Sequence, residues 1–109
     1  MARVAEIIKK DSATYRALIE GHTDSAPISH PIIASNWELS GLRASRIAQI
    51  FETRGFEKSA LTIIGWGETK PLMPNYTPTG DPIKDNMAKN RRVVLRIYDK
   101  KFSDDPIRE

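Results

Sequence analysis

The chain has no cysteine, which excludes disulfide bridges and thiolate metal ligands and leaves its redox compartment unmarked. No apolar run approaches the ~20 residues a membrane-spanning helix needs, so this sequence contains no bilayer crossing of that kind. The opening residues MARVAEIIKK lack the apolar stretch of a signal peptide, and a targeting segment, if the protein works outside the cytoplasm, is expected elsewhere. Histidine is scarce, with only His22 and His30. They show no His-x3-His spacing and have no cysteine partners, so neither a metal nor another cofactor is expected. Aromatic residues make up only 7% of the chain and do not interleave with its basic stretch, so nucleic acid is not an expected partner. That stretch, residues 84–101, carries seven Lys or Arg against two Asp and reads as a solvated basic face.

Familiar catalytic patterns are missing too. There is no G-x-S-x-G elbow, and His22, Asp24 and Ser25 sit too close together in one strand-to-loop segment to converge as base, orienter and nucleophile. Gly65-Trp66-Gly67 lacks the third glycine and following helix of a phosphate-binding loop, and close packing against a neighbouring element explains its glycines better. Trp37 and Trp66 are expected as core or rim aromatics. The chain is therefore not expected to be an enzyme.

What is present fits one domain. A chain of 109 residues should bury roughly 60 to 70% of the surface its unfolded form exposes, enough for one modest core. The domain is expected over residues 1–101, with a polar tail at 102–109. Val4, Ile7 and Ile8 suit a short amphipathic helix ending near Asp11. Residues 14–20, with apolar groups on both faces, read as a strand near the middle of a sheet, which leaves Asp24 just beyond its C-terminal end. Pro27 and Pro31 make residues 25–34 a loop. Ser35 with Glu38 three residues later has the form of a capping box, opening a helix that stops at Gly55. Trp37, Ala44, Ile47, Ala48 and Phe51 are its expected buried stripe, and Asn36, Leu39 and Arg43 form a second stripe. Residues 61–67 read as a strand and 91–98 as the last strand. The proline-rich span between them is mostly loop, with a helical turn around residues 83–89. This order predicts an α+β domain, a small mixed β-sheet with helices packed on one face.

Asp24 at a strand end and Arg43 inside a helix offer two opposite charges to one cleft, a complement for a zwitterion carrying an ammonium and a carboxylate. The helix N-terminus would favour the carboxylate, and Arg43 could grip it with two parallel hydrogen bonds. Spacing alone equally allows an internal Asp24–Arg43 salt bridge, or Asp24 as a turn residue. His22 is expected to be bonded to backbone at the strand end.

Four segments, IEGHTD (19–24), SNWELSGLRA (35–44), GWGETKPLMPN (65–75) and NRRV (90–93), together resemble the OmpA-like peptidoglycan-binding domains. The SNWELS and TD-x-x-PI signatures are most similar to the periplasmic domain of MotB-type flagellar stator proteins. The resemblance implies binding of diaminopimelate in the peptidoglycan stem peptide. Asp24 would meet its ammonium and Arg43 its carboxylate, Asn36 and Leu39 would shape the pocket, and Arg91 would approach from the last strand. It further implies a homodimer in the periplasm, anchoring a longer membrane motor that has a MotA-like partner. An outer-membrane or lipoprotein scaffold, or a motor serving phage defence or secretion, would use the same domain. The sequence departs from the family at Met87, where an arginine is usual, and in the inserted residues 80–86.

Overall fold

The structure, a computed structural model, describes residues 12–100; the helix expected before Asp11 and the tail at 102–109 lie outside them. The alternating run around Ile19 forms β1 (Tyr15–His22), two residues longer at its C-terminal end than its hydropathy suggests. It is the middle strand of a three-stranded mixed sheet of order β2-β1-β3. β2 (Leu61–Gly65) runs parallel to it, with Ile19 opposite Ile63. β3 (Arg92–Asp99) runs antiparallel, with Ile19 opposite Leu95. As the central strand, β1 has both hydrogen-bonding edges paired, and Ala17, Leu18 and Ile19, alternating between its two faces, are all buried.

Helix α1 (Asn36–Thr53) makes the crossover from β1 to β2. Its start is fixed by a variant of the expected capping box, in which the glutamate reaches the N–H one residue before the cap instead of that of Ser35 itself. The Ser35 hydroxyl accepts from the Glu38 backbone N–H at 3.2 Å, and the Glu38 carboxylate accepts from the Ala34 N–H at 2.7 Å. Its end is fixed by Gly55, whose φ of 97° an L-residue adopts only with strain. A 3-10 turn (Lys58–Ala60) leads into β2, and a short helix α2 (Lys84–Asn90) precedes β3.

The core lies between α1 and the sheet, where Ala17, Phe51, Phe56 and Ala60 are buried and Tyr15, Ile47, Leu61, Leu95 and Ile97 pack around them. Phe51 and Phe56 meet edge to face with centroids 5.5 Å apart.

One expectation about α1 is overturned. Trp37 is 58% exposed, and the buried residues of the helix are Asn36, Ser40, Ala44 and Phe51. The reason is the separation between helix and sheet. A Cβ added to Gly21 would lie 2.0 Å from the Ser40 carbonyl oxygen, and one added to Gly65 would lie 2.7 Å from the Gly41 nitrogen. Backbone rests on backbone there, so an indole cannot enter and a serine can. The close packing expected of Gly65 is found, and Gly21 shares it.

Candidate functional site

The site residues gather where β1 ends. Trp66 N–H donates to the Gly21 carbonyl at 3.0 Å and Thr23 N–H donates to the Gly67 carbonyl at 2.9 Å, so the loops after β1 and β2 leave the sheet side by side. Asn36, in the first turn of α1, fastens them: its Nδ2 donates to the Ala26 carbonyl at 3.1 Å and to Glu68 Oε1 at 3.3 Å.

Asp24 is buried just past the strand, as its position in the sequence implies. Its Oδ1 accepts from the Ala26 N–H at 3.0 Å, and its Oδ2 pairs with Arg91 Nη1 at 2.7 Å. Arg91 stands at the junction of α2 and β3, so an ion pair spanning 67 positions closes one side of the site. The Asp24–Arg43 salt bridge that spacing alone allowed is not formed, and Arg43 makes no ion pair among the described residues. The structure thus brings Asp24, Asn36 and Arg91 into one bonded neighbourhood. Leu39 and Arg43, both half-buried, follow Asn36 one and two turns along α1.

Two polar atoms in this neighbourhood have no hydrogen-bond partner among the described residues although they are buried: Ser25 Oγ, beside Asp24 in sequence, and Asn36 Oδ1. Leaving such an atom unpaired costs about 1 to 3 kcal/mol, which a ligand donor can recover. Chemically the site holds a buried carboxylate with unused acceptor capacity and, among the described residues, two orphaned oxygens and a guanidinium without an ion partner further along the helix.

Two structural residues were not singled out by sequence reasoning. Asn90 is completely buried, and its side chain uses its full hydrogen-bonding capacity. Its Oδ1 accepts from the Leu72 and Met73 N–H groups at 2.9 and 3.2 Å, while Nδ2 donates to the Met73 carbonyl and Asn75 Oδ1, both at 2.9 Å. This pins the proline-rich loop against the start of β3, next to Arg91. Ser40, also completely buried, accepts from the Gly67 N–H at 2.9 Å and donates to the Trp37 carbonyl at 3.0 Å. For Ser40 the available signal was a serine on the helical stripe of Ala44 and Phe51, whereas Asn90 sits between the expected helical turn and the last strand and carried no such signal. Met87, the departure noted from the resembling domains, where an arginine is usual, is buried as part of α2.

The inserted residues 80–86 are divided between a closed turn, which Gly80 and Asp81 form with Thr77, and the first turn of α2. Thr77 N–H donates to the Asp81 carbonyl at 2.8 Å, Asp81 N–H donates to Thr77 Oγ1 at 3.0 Å, and Gly80 takes a φ of 91°. His22 departs from expectation, since it is buried and its Nδ1 is unpartnered rather than bonded to backbone. His30 is exposed and accepts from the Ile32 and Ile33 N–H groups at 3.1 and 3.2 Å.

This combination of fold and motif has a counterpart in known proteins: residues 1–85 match the model of the OmpA family. The chain belongs to the OmpA family. It is 36% identical over 81 residues to Motility protein B of Bacillus subtilis, covering 73% of this chain and 29% of that protein. It is 44% identical over 79 residues to a Photosystem I chlorophyll a apoprotein of Gloeobacter violaceus, covering 72% of this chain and 9% of that one. Among solved structures, the periplasmic domain of Helicobacter pylori MotB superposes with a TM-score of 0.72 at 28% identity, over 90% of this chain and 59% of that one. The cell wall anchor of the T6SS from Pseudomonas aeruginosa superposes with a TM-score of 0.73 at 27% identity, over 91% of this chain and 64% of that one. The chain spans less than a third of the length of each of the first curated relatives it matches. As an OmpA-family domain it is a structural module and not an enzyme. None of its described helices is long and apolar enough to cross a membrane.

Proposed function

We propose that this OmpA-family domain anchors a longer protein to the cell wall by binding peptidoglycan without bond-making chemistry, taking the diaminopimelate of the stem peptide as its ligand. The supporting observation is the carboxylate of Asp24, held at the mouth of β1 beside the unpartnered Ser25 Oγ and Asn36 Oδ1, while Arg43 keeps a guanidinium without an ion partner among the described residues. Asp24 receives the ligand ammonium and Arg43 its carboxylate. Asn36 and Leu39 shape the wall of the site on α1. Arg91 orients Asp24 from the opposite side, a positioning role in addition to lining the rim. A site with one acid and one free guanidinium fits a zwitterion better than a simple anion or cation.

The longer protein is a stator-like motor component, working in the periplasm as a homodimer with a MotA-like membrane partner that contacts parts outside this chain. The likeness to a T6SS cell wall anchor supports a second reading, in which the same domain holds a secretion machine or another envelope tether to the wall.

Retention on purified diaminopimelate-type sacculi tests the site. Removing one partner of a desolvated, hydrogen-bonded charge pair costs about 2 to 5 kcal/mol, so Asp24→Asn and Arg43→Ala should each lose binding by about 30-fold or more. Lysine-type sacculi should bind less well, because lysine lacks the second carboxylate and leaves Arg43 unpaired. Equal retention of wild type and both variants would refute the assignment.

A further inference from the structure

The sheet has a second face, away from α1. Side chains alternate along a strand, and Gly21 faces the helix, so Leu18, Glu20 and His22 point to the opposite side. The antiparallel register puts Arg96 opposite Leu18, Val94 opposite Glu20 and Arg92 opposite His22, so these residues share that face. Near the C-terminal end of β1 this face opens into a cleft of about 220 Å³, lined by Glu20, His22, Trp66, Lys70, Arg92 and Arg96. It contains none of the residues assigned to peptidoglycan.

Three permanent cations here face one carboxylate, and that carboxylate is engaged. Glu20 Oε1 accepts from Trp66 Nε1 at 2.7 Å, and Oε2 is bonded to Arg96 Nε. Burial raises the Glu20 pKa, but the hydrogen bonds from Arg96 and Trp66 outweigh it and hold the group below its ordinary value, in its charged form. Arg92 donates to the carbonyls of Asn90 and Lys70 at 3.2 and 3.1 Å, which orient its guanidinium without neutralising it. Lys70 lies over the Trp66 ring, its Nζ 4.8 Å from the centroid.

His22 sits in this surplus of positive charge. It is 4% exposed, it lines the cleft, and its Nδ1 has no hydrogen-bond partner among the described residues. Burial and then Arg92 lower its pKa, Glu20 opposes them, and Arg96 and Lys70 add to the lowering. A neutral, buried imidazole with an unused nitrogen, ringed by under-neutralised cations, is the state an incoming anion would relieve.

We propose that this cleft is a second binding site, taking a phosphate group. Its surplus of cations over one engaged carboxylate matches a phosphate group, whose oxygens can accept from several guanidinium and ammonium donors at once, better than a carboxylate. Its volume is below the ~300–1,000 Å³ of pockets for drug-sized ligands, so it accepts a headgroup-sized moiety. The phosphate could be free, part of a glycerophosphate polymer or a lipid headgroup, and the cleft reads the chemistry these share.

The test is a titration of the chain followed by NMR at the His22 ring and the Trp66 indole, with inorganic phosphate, glycerol phosphate, vesicles containing phosphatidylglycerol, and acetate. Phosphate and at least one of the two phosphate-bearing probes should shift both signals and raise the pH at which His22 titrates, with acetate binding more weakly. The probe that binds tightest identifies the source. Lys70→Ala, a change at an exposed side chain, should weaken phosphate about five-fold. Glu20→Gln keeps an acceptor for Trp66 while removing the one negative charge that lines the cleft, and should strengthen phosphate binding by a similar factor. Asp24→Asn should leave it unchanged, which separates this site from the peptidoglycan reading. The proposal is overturned if phosphate moves neither signal, or if wild type, Lys70→Ala and Glu20→Gln bind it equally.

Discussion

Towards its C-terminus, α1 buries Phe51 against Ala17, Phe56 and Ala60, with Ile47 packed beside them, whereas towards its N-terminus it lays the backbone of Ser40 and Gly41 directly on Gly21 and Gly65. The first contact removes apolar surface from water and tolerates small adjustments of side-chain packing. The second is a contact of backbone on backbone. It fixes instead the height of the helix above the strands through a serine hydroxyl and two missing Cβ atoms. Asn36, Leu39 and Arg43 lie on this second half and Asp24 on a loop bonded to it, while Arg91 reaches Asp24 from just before β3. One half of the helix therefore supplies most of the stability, and the other holds Asn36 and Arg43 in place relative to Asp24.

The largest expected effect falls on the apolar half. Phe51 has no exposed surface and is the largest buried side chain, so Phe51→Ala should destabilise the domain by about 3 to 5 kcal/mol in urea unfolding. Binding to sacculi, measured per folded molecule, should stay close to wild type. A loss below about 1 kcal/mol would mean the core is not where the fold draws its stability.

Gly21→Ala attacks the other half. The new methyl would sit 2.0 Å from the Ser40 carbonyl oxygen, which is backbone and cannot turn aside, so helix and strand must separate. Overpacking of this kind costs about 1 to 3 kcal/mol. The two halves are best distinguished by retention on sacculi, which should fall further than the loss of folded protein accounts for. If retention simply tracks stability, the division of labour along α1 is wrong. Ser40→Ala should act in the same sense and more mildly. It leaves the Gly67 N–H buried without its acceptor, a loss of about 1 to 2 kcal/mol by the same denaturation measurement.

The same contrast explains which parts of the molecule could be read from sequence. Alternation around Ile19, the Ser35–Glu38 cap and Gly55 are local signals, and β1 and both ends of α1 follow from them. Asp24 could be placed because it is only two residues past the end of β1. The Arg91 ion pair spans 67 positions and Asn90 bonds a loop 15 to 18 residues earlier, and no local period encodes either. Trp37 was misplaced for a different reason. Hydropathy periodicity assumes that a buried helix face is apolar, which fails where two backbones come too close for a large side chain. At the opposite sheet face, the alternation that marks β1 as a strand also places Glu20 and His22 together, but says nothing of the arginines that β3 brings beside them.

The smallest expected effect is at Trp37 itself. Were the N-terminal half of α1 held by apolar burial, as its sequence pattern suggests, replacing this indole would remove an anchor worth about 3 to 5 kcal/mol. In the structure the ring is more than half exposed and only its inner edge lies near Gly67, 3.5 Å from where a Cβ would stand. Trp37→Gln should therefore cost about 1 kcal/mol or less in urea unfolding. The Ser40–Gly67 hydrogen bond and the Gly21 contact hold the helix without the indole, so sacculus retention should stay within about two-fold of wild type. A loss comparable to that of Phe51→Ala would show that both halves of the helix are held by the hydrophobic effect and would remove the reason for assigning placement of the site to Ser40 and the two glycines.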